Sequence, residues 1–228
     1  MASELIHSFT SHIQPQVPGY TVKRKAESRL MKFLNKILFF TPNFMTRFTT
    51  TCNNTVYVTD DLWEDNSMWA LSTLAHEAQH IYDKQRWSAI FFGFAYLLPQ
   101  ILAPLTLLSL LAIWFSNAWL WSLAALALLA PIPAYFRMII ERRGYLMSLC
   151  VIGWTFGEEY ARTQIPWVVK NFTSSSYYFM RPFKKSLTRW FEKTLPPVWR
   201  NPAKHNAIFV LVFDYVTQHR VSLGGKIK

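Results

Sequence analysis

The chain has 228 residues, of which 51% are apolar, and it carries a formal net charge of +11. This length suits one sizeable domain or a small domain joined to a membrane element, and its two distant cysteines, Cys52 and Cys150, exclude a disulfide framework. The charge suits nucleic acid or anionic lipid, but no nucleic-acid-binding module is recognisable, which disfavours nucleic acid as a partner.

The N-terminal region, residues 1–46, is basic and amphipathic. Two prolines and a glycine within residues 1–20 predict irregular structure there. From Lys23 to Phe40, apolar residues recur on one side among lysines and arginines, which predicts an amphipathic helix. Such a helix fits either an anionic membrane surface or the outer layer of a small domain.

Residues 47–86 predict a strand hairpin followed by a helix. β-branched and aromatic residues flank Asn53-Asn54, which is typical of two short strands joined by a turn. Polar residues at 65–67 supply an N-cap, and no Gly or Pro interrupts the run that follows as far as Arg86. Apolar residues at spacings of three and four along this run predict one long helix.

This helix carries the sequence His76-Glu77-Ala78-Gln79-His80. Residues four apart lie one above the other on a helix, so His76 and His80 can bind one metal ion. Glu77 is adjacent to His76, where it could deprotonate a water molecule at that ion. This H-E-x-x-H pattern is typical of a zinc hydrolase. The alternative is a surface helix with two histidines on its polar face.

No charged residue occurs from Trp87 to Phe136, and basic residues border this segment of fifty residues on both sides. Its two apolar stretches, 88–115 and 118–136, are each long enough to cross a bilayer as a helix. We therefore expect a transmembrane helical hairpin at 87–136, with a buried hairpin in a water-soluble protein as the alternative. Because both flanks are basic, the positive-inside rule predicts a multi-pass membrane protein with two spans and both termini cytoplasmic.

A third metal ligand is expected after this hairpin. If its two helices lie side by side, His80 is about 12 Å and Glu141 about 7–8 Å from the membrane along their helices, so the two side chains lie at similar heights. Tyr145, one turn beyond Glu141, could donate a hydrogen bond to a transition state. Four other residues stay open as the third ligand: Glu158, Glu159, His205 and His219.

Asp83 lies one turn after His80, and its carboxylate could have either of two roles. Its carboxylate could orient a ligand histidine through the second ring nitrogen, or it could pair with Lys84 or Arg86.

The C-terminal part of the chain predicts further helices. Residues 137–170 continue the helix that carries Glu141, as far as Pro166. The remaining region, 171–228, contains a basic amphipathic helix from Arg181 to Leu195, ended by Pro196-Pro197. Residues 207–216 are a short apolar run that fits a core strand, a core helix or a partner-binding segment.

Residues 47–86 and 137–150 resemble the gluzincin class of zinc metallopeptidases, and more loosely the membrane-embedded zinc proteases of the CAAX-processing type. The resemblance implies an edge strand at 55–59 that holds the substrate backbone. It also implies a zinc ion, Zn2+, and a general base, with these residues: His76, His80 and Glu141 as ligands and Glu77 as the base. The chain departs from the class at Tyr145, where gluzincins commonly have Asp.

Taken together, the sequence predicts a mainly α protein in which a membrane helical hairpin joins a small α+β zincin-like domain. The expected function is that of a membrane-anchored zinc metallopeptidase, with the lipid bilayer and a peptide or protein substrate as partners. Two alternatives stay open: a non-catalytic membrane or assembly component on a zincin-like scaffold, and a hydrolase of lipids or small amides.

Overall fold

The computed structural model describes residues 3–38, 43–129, 134–174, 180–220 and 222–224. Its helices are α1 (Glu4–Ile13), α2 (Arg29–Ile37), α3 (Phe44–Arg47), α4 (Asp60–Glu64), α5 (Met68–Trp87), α6 (Ala89–Leu97), α7 (Tyr135–Phe156), α8 (Glu158–Thr173), α9 (Lys184–Arg200) and α10 (Ala207–His219). Its strands are β1 (Thr21–Arg24), β2 (Thr50–Cys52) and β3 (Thr55–Val58). The expectation of a mainly helical protein with a small sheet is confirmed.

Helices α5 and α7 form the centre of the molecule. Arg143 contacts Asp83 near one end of the pair, and Ser148 contacts the backbone of Ser72 near the other, so the two helices run antiparallel. Every residue of α7 from Gly144 to Thr155 is buried, because α8, α9 and α10 pack around it. The helix predicted to carry Glu141 therefore lies in the core.

The sheet has the order β1-β3-β2. β2 and β3 are antiparallel and joined by a tight turn in which Asn53 has a φ of 54°, a conformation that Asn tolerates. The predicted hairpin is therefore confirmed. The expected edge strand at 55–59 is wrong, however, because β1 pairs in parallel with β3 and places it in the middle. The strand at the edge beside the H-E-x-x-H helix is β2.

The prediction of a transmembrane hairpin at 87–136 is wrong. Among the residues that the structure describes, no helix is both long and apolar enough to cross a membrane. The chain turns at Ser88, whose φ is 76°, and the charge-free segment then divides into three helical pieces: α6 and the 3-10 segments Gln100–Ile113 and Asn117–Leu129. Each piece is shorter than the roughly 20 residues that a spanning helix needs.

The predicted localisation is corrected with it. The prediction of two spans with cytoplasmic termini depends on helices that cross the membrane at 87–136, and no helix that the structure describes there is long and apolar enough to do so. Residues 130–133, where the second span was expected to end, lie outside the described residues.

The N-terminal region also differs from expectation. Residues predicted to be irregular form α1, and the predicted helix from Lys23 to Phe40 is divided between β1 and α2. Lys25 is buried and donates hydrogen bonds to the carbonyl oxygens of Phe44 and Phe48, at 2.7 and 2.6 Å. Backbone pairing with β3 and this burial outweigh the local helical periodicity. Residues 39–42, including the predicted end of that helix, lie outside the described part of the chain.

The predicted helix over 137–170 is divided at Gly157, whose φ is 104°, into α7 and α8. Two helices also extend further than predicted, since α8 continues past Pro166 and α9 continues through Pro196-Pro197 to Arg200. Buried side chains on α9, among them Phe191 and Leu195, indicate that core packing outweighs the backbone hydrogen bonds that prolines cannot make. The apolar run at 207–216, whose structure the sequence left open, is a core helix, α10.

Candidate metal centre

Helix α5 places the two histidines on one face. Ser67 caps its N-terminus, because the Ser67 hydroxyl accepts hydrogen bonds from the backbone N–H groups of Trp69 and Ala70. The helix then runs without interruption for 20 residues. Nε2 of His76 and Nε2 of His80 lie 2.9 Å apart. The prediction that His76 and His80 lie close together on one face of the helix is therefore confirmed.

Glu141 of α7 completes a buried group with these histidines. Its Oε2 atom lies 3.4 Å from Nε2 of His76 and 3.7 Å from Nε2 of His80. The three ligand atoms all lie within 4.8 Å of one another, so the group could bind a metal ion. Oε2 is buried and has no hydrogen-bond partner in the described residues. A cation would satisfy this oxygen, and two imidazoles with one carboxylate are a common metal-binding set.

The electrostatics of the group also suit a cation. Burial alone would raise the pKa of Glu141, but the neighbouring His76 and His80 outweigh it and hold that pKa well below its usual range. Burial would lower the pKa of His80, but the carboxylates of Glu141, Glu77 and Asp83 together outweigh burial and raise that pKa. Glu141 is therefore an anionic carboxylate at neutral pH, directed at the two rings.

Tyr96 of α6 fixes the other oxygen of this carboxylate. Its hydroxyl donates a hydrogen bond to Oε1 of Glu141 at 2.5 Å, which turns Oε2 toward the histidines. The guanidinium of Arg137 stacks on the Tyr96 ring, 4.6 Å from its centre. Sequence reasoning missed Tyr96 because it lies in the segment interpreted as membrane-spanning. The sequence feature that could have identified Tyr96 is that it is the one tyrosine between Ser88 and Ala134.

Gly144 gives His76 its place against α7. A Cβ atom at position 144 would lie 2.7 Å from both Cε1 and Nε2 of His76. Any larger residue would therefore force the ring out of this position. Sequence reasoning passed over this glycine.

Glu77, the predicted general base, lies at the opening of the site. It accepts a hydrogen bond from the hydroxyl of Thr51 at 2.6 Å, so the edge strand β2 holds its carboxylate. Two cavities, of about 630 and 390 Å3, lie on either side, and both are lined by His76, Glu77 and Thr49. Glu77 is thus reachable from a cleft that runs beside β2. Thr51, like Tyr96 and Gly144, is a residue that sequence reasoning missed.

Tyr145, the predicted transition-state donor, lies beside the same histidine. Its ring packs edge-on against His76 at 4.8 Å between centres. Its hydroxyl accepts a hydrogen bond from Asn171 at 3.1 Å, and both residues line the smaller cavity. The side chain therefore supports the His76 ring.

The alternative ligands lie elsewhere. Glu158 pairs with Arg162 and Arg200, and Glu159 is exposed. His205 packs on Phe209, and His219 bonds to the backbone of Tyr215. None of them belongs to the group around Glu141 in the described part of the chain.

Asp83 does not orient a ligand histidine. Its two oxygens accept hydrogen bonds from Arg143 at 2.8 and 2.9 Å, a partner other than the expected Lys84 or Arg86. Nδ1 of His80 is buried without a hydrogen-bond partner among the described residues.

No family model matches this chain, and the comparisons with curated proteins and with solved structures found no match either. The resemblance to gluzincins therefore stays a hypothesis.

Proposed function

We propose that this protein is a zinc-dependent metallopeptidase. The observation that carries the proposal is the convergence of His76, His80 and Glu141 next to the carboxylate of Glu77. Two histidines and one glutamate are the ligand set of several catalytic zinc sites, in which one coordination position stays open. Zinc is the preferred ion because imidazole nitrogens suit it better than they suit magnesium or calcium.

The residues of the site have separate roles in this proposal. Zinc, when bound, supplies a Lewis acid that polarises the scissile carbonyl and acidifies water. Glu77 accepts the proton of the attacking water and returns it to the leaving amine. Thr51 holds the carboxylate of Glu77 in place, and Tyr145 packs against the ring of His76.

The edge strand supports a peptide as the substrate. Residues 49–53, which include β2, form one wall of the larger cavity, and the sheet lies behind them. An edge strand offers backbone donors and acceptors with which an extended peptide can pair. A peptide lying along β2 passes Glu77 and the three ligands.

The metal site is tested by elemental analysis of purified protein. We expect about one zinc per chain in wild type and a large loss in His76→Ala and Glu141→Ala, since each variant removes a ligand. Glu159→Gln, which changes an exposed glutamate, is the control and should keep its zinc. Wild-type protein that binds no zinc would end the proposal.

The catalytic role is tested with Glu77→Gln. This variant keeps all three ligands but loses the base, so we expect full zinc content with peptide hydrolysis reduced by about 100-fold or more. Hydrolysis of a mixture of peptides is followed by mass spectrometry, with Glu159→Gln as the matched control. A zinc-loaded Glu77→Gln protein as active as wild type would refute the mechanism and favour a non-catalytic role.

A further inference from the structure

The larger cavity beside the metal centre has an apolar wall. It begins at His80, whose ring lies 6.4 Å from that of Phe92 on α6. The opposite wall is β2 and its turn. The apolar and aromatic residues that line it come from α5 and α6: Ile81, Ala89, Phe92, Gly93, Tyr96 and Leu97. The charge-free segment thus contributes α6 to the cleft.

The charges of this cavity disfavour an ionic side chain. Its carboxylates among the described residues are Glu77 and Glu141, and both belong to the metal centre. Its one lysine, Lys84, donates hydrogen bonds to the side-chain oxygens of Asn53 and Asn54 at 3.0 and 2.6 Å. A cationic side chain would lie near Lys84 without a carboxylate of its own, and an anionic one would have to displace existing bonds.

Gly93 leaves the cavity open at its α6 wall. A Cβ atom at this position would meet nothing within 4 Å. The space is therefore free for a group that enters from the cleft, and it would be filled by a larger residue at position 93.

We propose that this cavity binds a bulky apolar side chain of a peptide substrate, adjacent to the bond that is cleaved, and that Gly93 sets the size of side chain accepted. This inference rests on the proposed peptidase function. The occupant follows from the apolar lining, the absence of a spare carboxylate among the described lining residues, and the continuity of the cavity with the metal centre.

Binding is measured first, in a background that cannot turn over. Zinc-loaded Glu77→Gln protein is titrated with capped hexapeptides that differ at one position, which carries Phe, Ala, Lys or Glu. Each of the two central positions is varied in turn. We expect the Phe peptide to bind about tenfold more tightly than the other three at one position. Equal affinities at both positions would overturn the inference.

Turnover is then compared between wild type and Gly93→Leu. The added side chain should lower kcat/KM for the Phe peptide by about tenfold, while the value for the Ala peptide stays within roughly twofold of wild type. Ile90→Ala, on the exposed face of α6, is the control and should leave the ratio of the two values unchanged. Zinc content confirms that each variant retains its metal centre.

The two proposals fail in different ways. If no peptide is hydrolysed in a Glu77-dependent manner, the peptidase function is wrong, and the binding series alone decides the nature of the cavity. If hydrolysis occurs but Gly93→Leu lowers both kcat/KM values equally, the function stands and the assignment of the cavity is wrong.

Discussion

At position 144, the absence of a side chain determines where His76 can lie. Glu141, Gly144 and Tyr145 follow one another on the face of α7 that meets α5, and each contacts His76. The first supplies a carboxylate, the second leaves space for the ring, and the third packs its ring nearly perpendicular to that of His76. The position of one ligand therefore depends on three residues within little more than one turn of α7.

Gly144→Ala should weaken zinc binding. The new Cβ would lie 2.7 Å from the ring of His76, so the ring must leave its position between the other two ligands. We expect the zinc affinity to fall about tenfold or more, as when other supporting residues of metal sites are changed. Competition with a chromophoric chelator measures the affinity.

Gly153→Ala is the matched control. This glycine lies on the same helix, and its added Cβ would be 2.7 Å from the Trp199 ring, away from the metal centre. Both variants should change thermal stability, but only Gly144→Ala should change zinc affinity. Equal zinc affinities in the two variants would show that the ring of His76 is free to adjust.

Three helices meet at the metal centre, and each makes a different contribution. α5 carries two ligands, α7 carries the third, and α6 orients that third ligand through Tyr96. The bidentate pair between Arg143 and Asp83 ties α7 to α5 one turn away from the ligands. Asp83 is buried, so removing Arg143 would leave an unpaired buried carboxylate, and the pair therefore keeps the two helices in register.

Tyr96→Phe tests the contribution of α6. Loss of the hydroxyl removes the hydrogen bond to Oε1 of Glu141 while the ring stays against Arg137. We expect zinc affinity to fall about 10- to 100-fold, with little change in helix content by circular dichroism. Tyr135→Phe removes the hydroxyl of an exposed tyrosine and should have no effect. Unchanged affinity in Tyr96→Phe would mean that Glu141 is oriented by its other contacts.

On the scale of the whole molecule, a metal ion would join parts of the chain that are distant in sequence. Asp83 and Arg143, which flank the ligands, are 60 residues apart, and Thr51 is 26 residues from Glu77. An ion that binds the folded chain and not the unfolded one stabilises the fold by mass action. The metal centre and the core formed by α5 and α7 should therefore unfold together.

Removal of zinc should lower the melting temperature. At a free zinc concentration about 100 times the Kd, binding contributes about 2.7 kcal/mol to the free energy of unfolding. For a chain of this size that corresponds to a Tm shift of roughly 5–10 °C. Differential scanning calorimetry with and without EDTA measures the shift, and His76→Ala should show none. A zinc-loaded wild type with the same Tm after chelation would contradict this coupling.

Local patterns in the sequence were enough for the features that depend on neighbours along the chain. The spacing of His76 and His80, the N-cap of α5 and the turn at Asn53 are set within a few residues, because helix geometry and turn preferences are local properties. Glu141 could be proposed as well, since it is the first acidic residue after the charge-free segment.

The contacts between distant segments were settled by packing. Tyr96, Thr51 and Gly144 acquire their roles only when α6, β2 and α7 come together around α5. The prediction of a transmembrane hairpin in the charge-free segment is wrong for the same reason. Hydropathy measures the tendency of a side chain to be transferred out of water. It does not predict the turn of the chain at Ser88 or the residues that α6 contacts, because both depend on the tertiary structure.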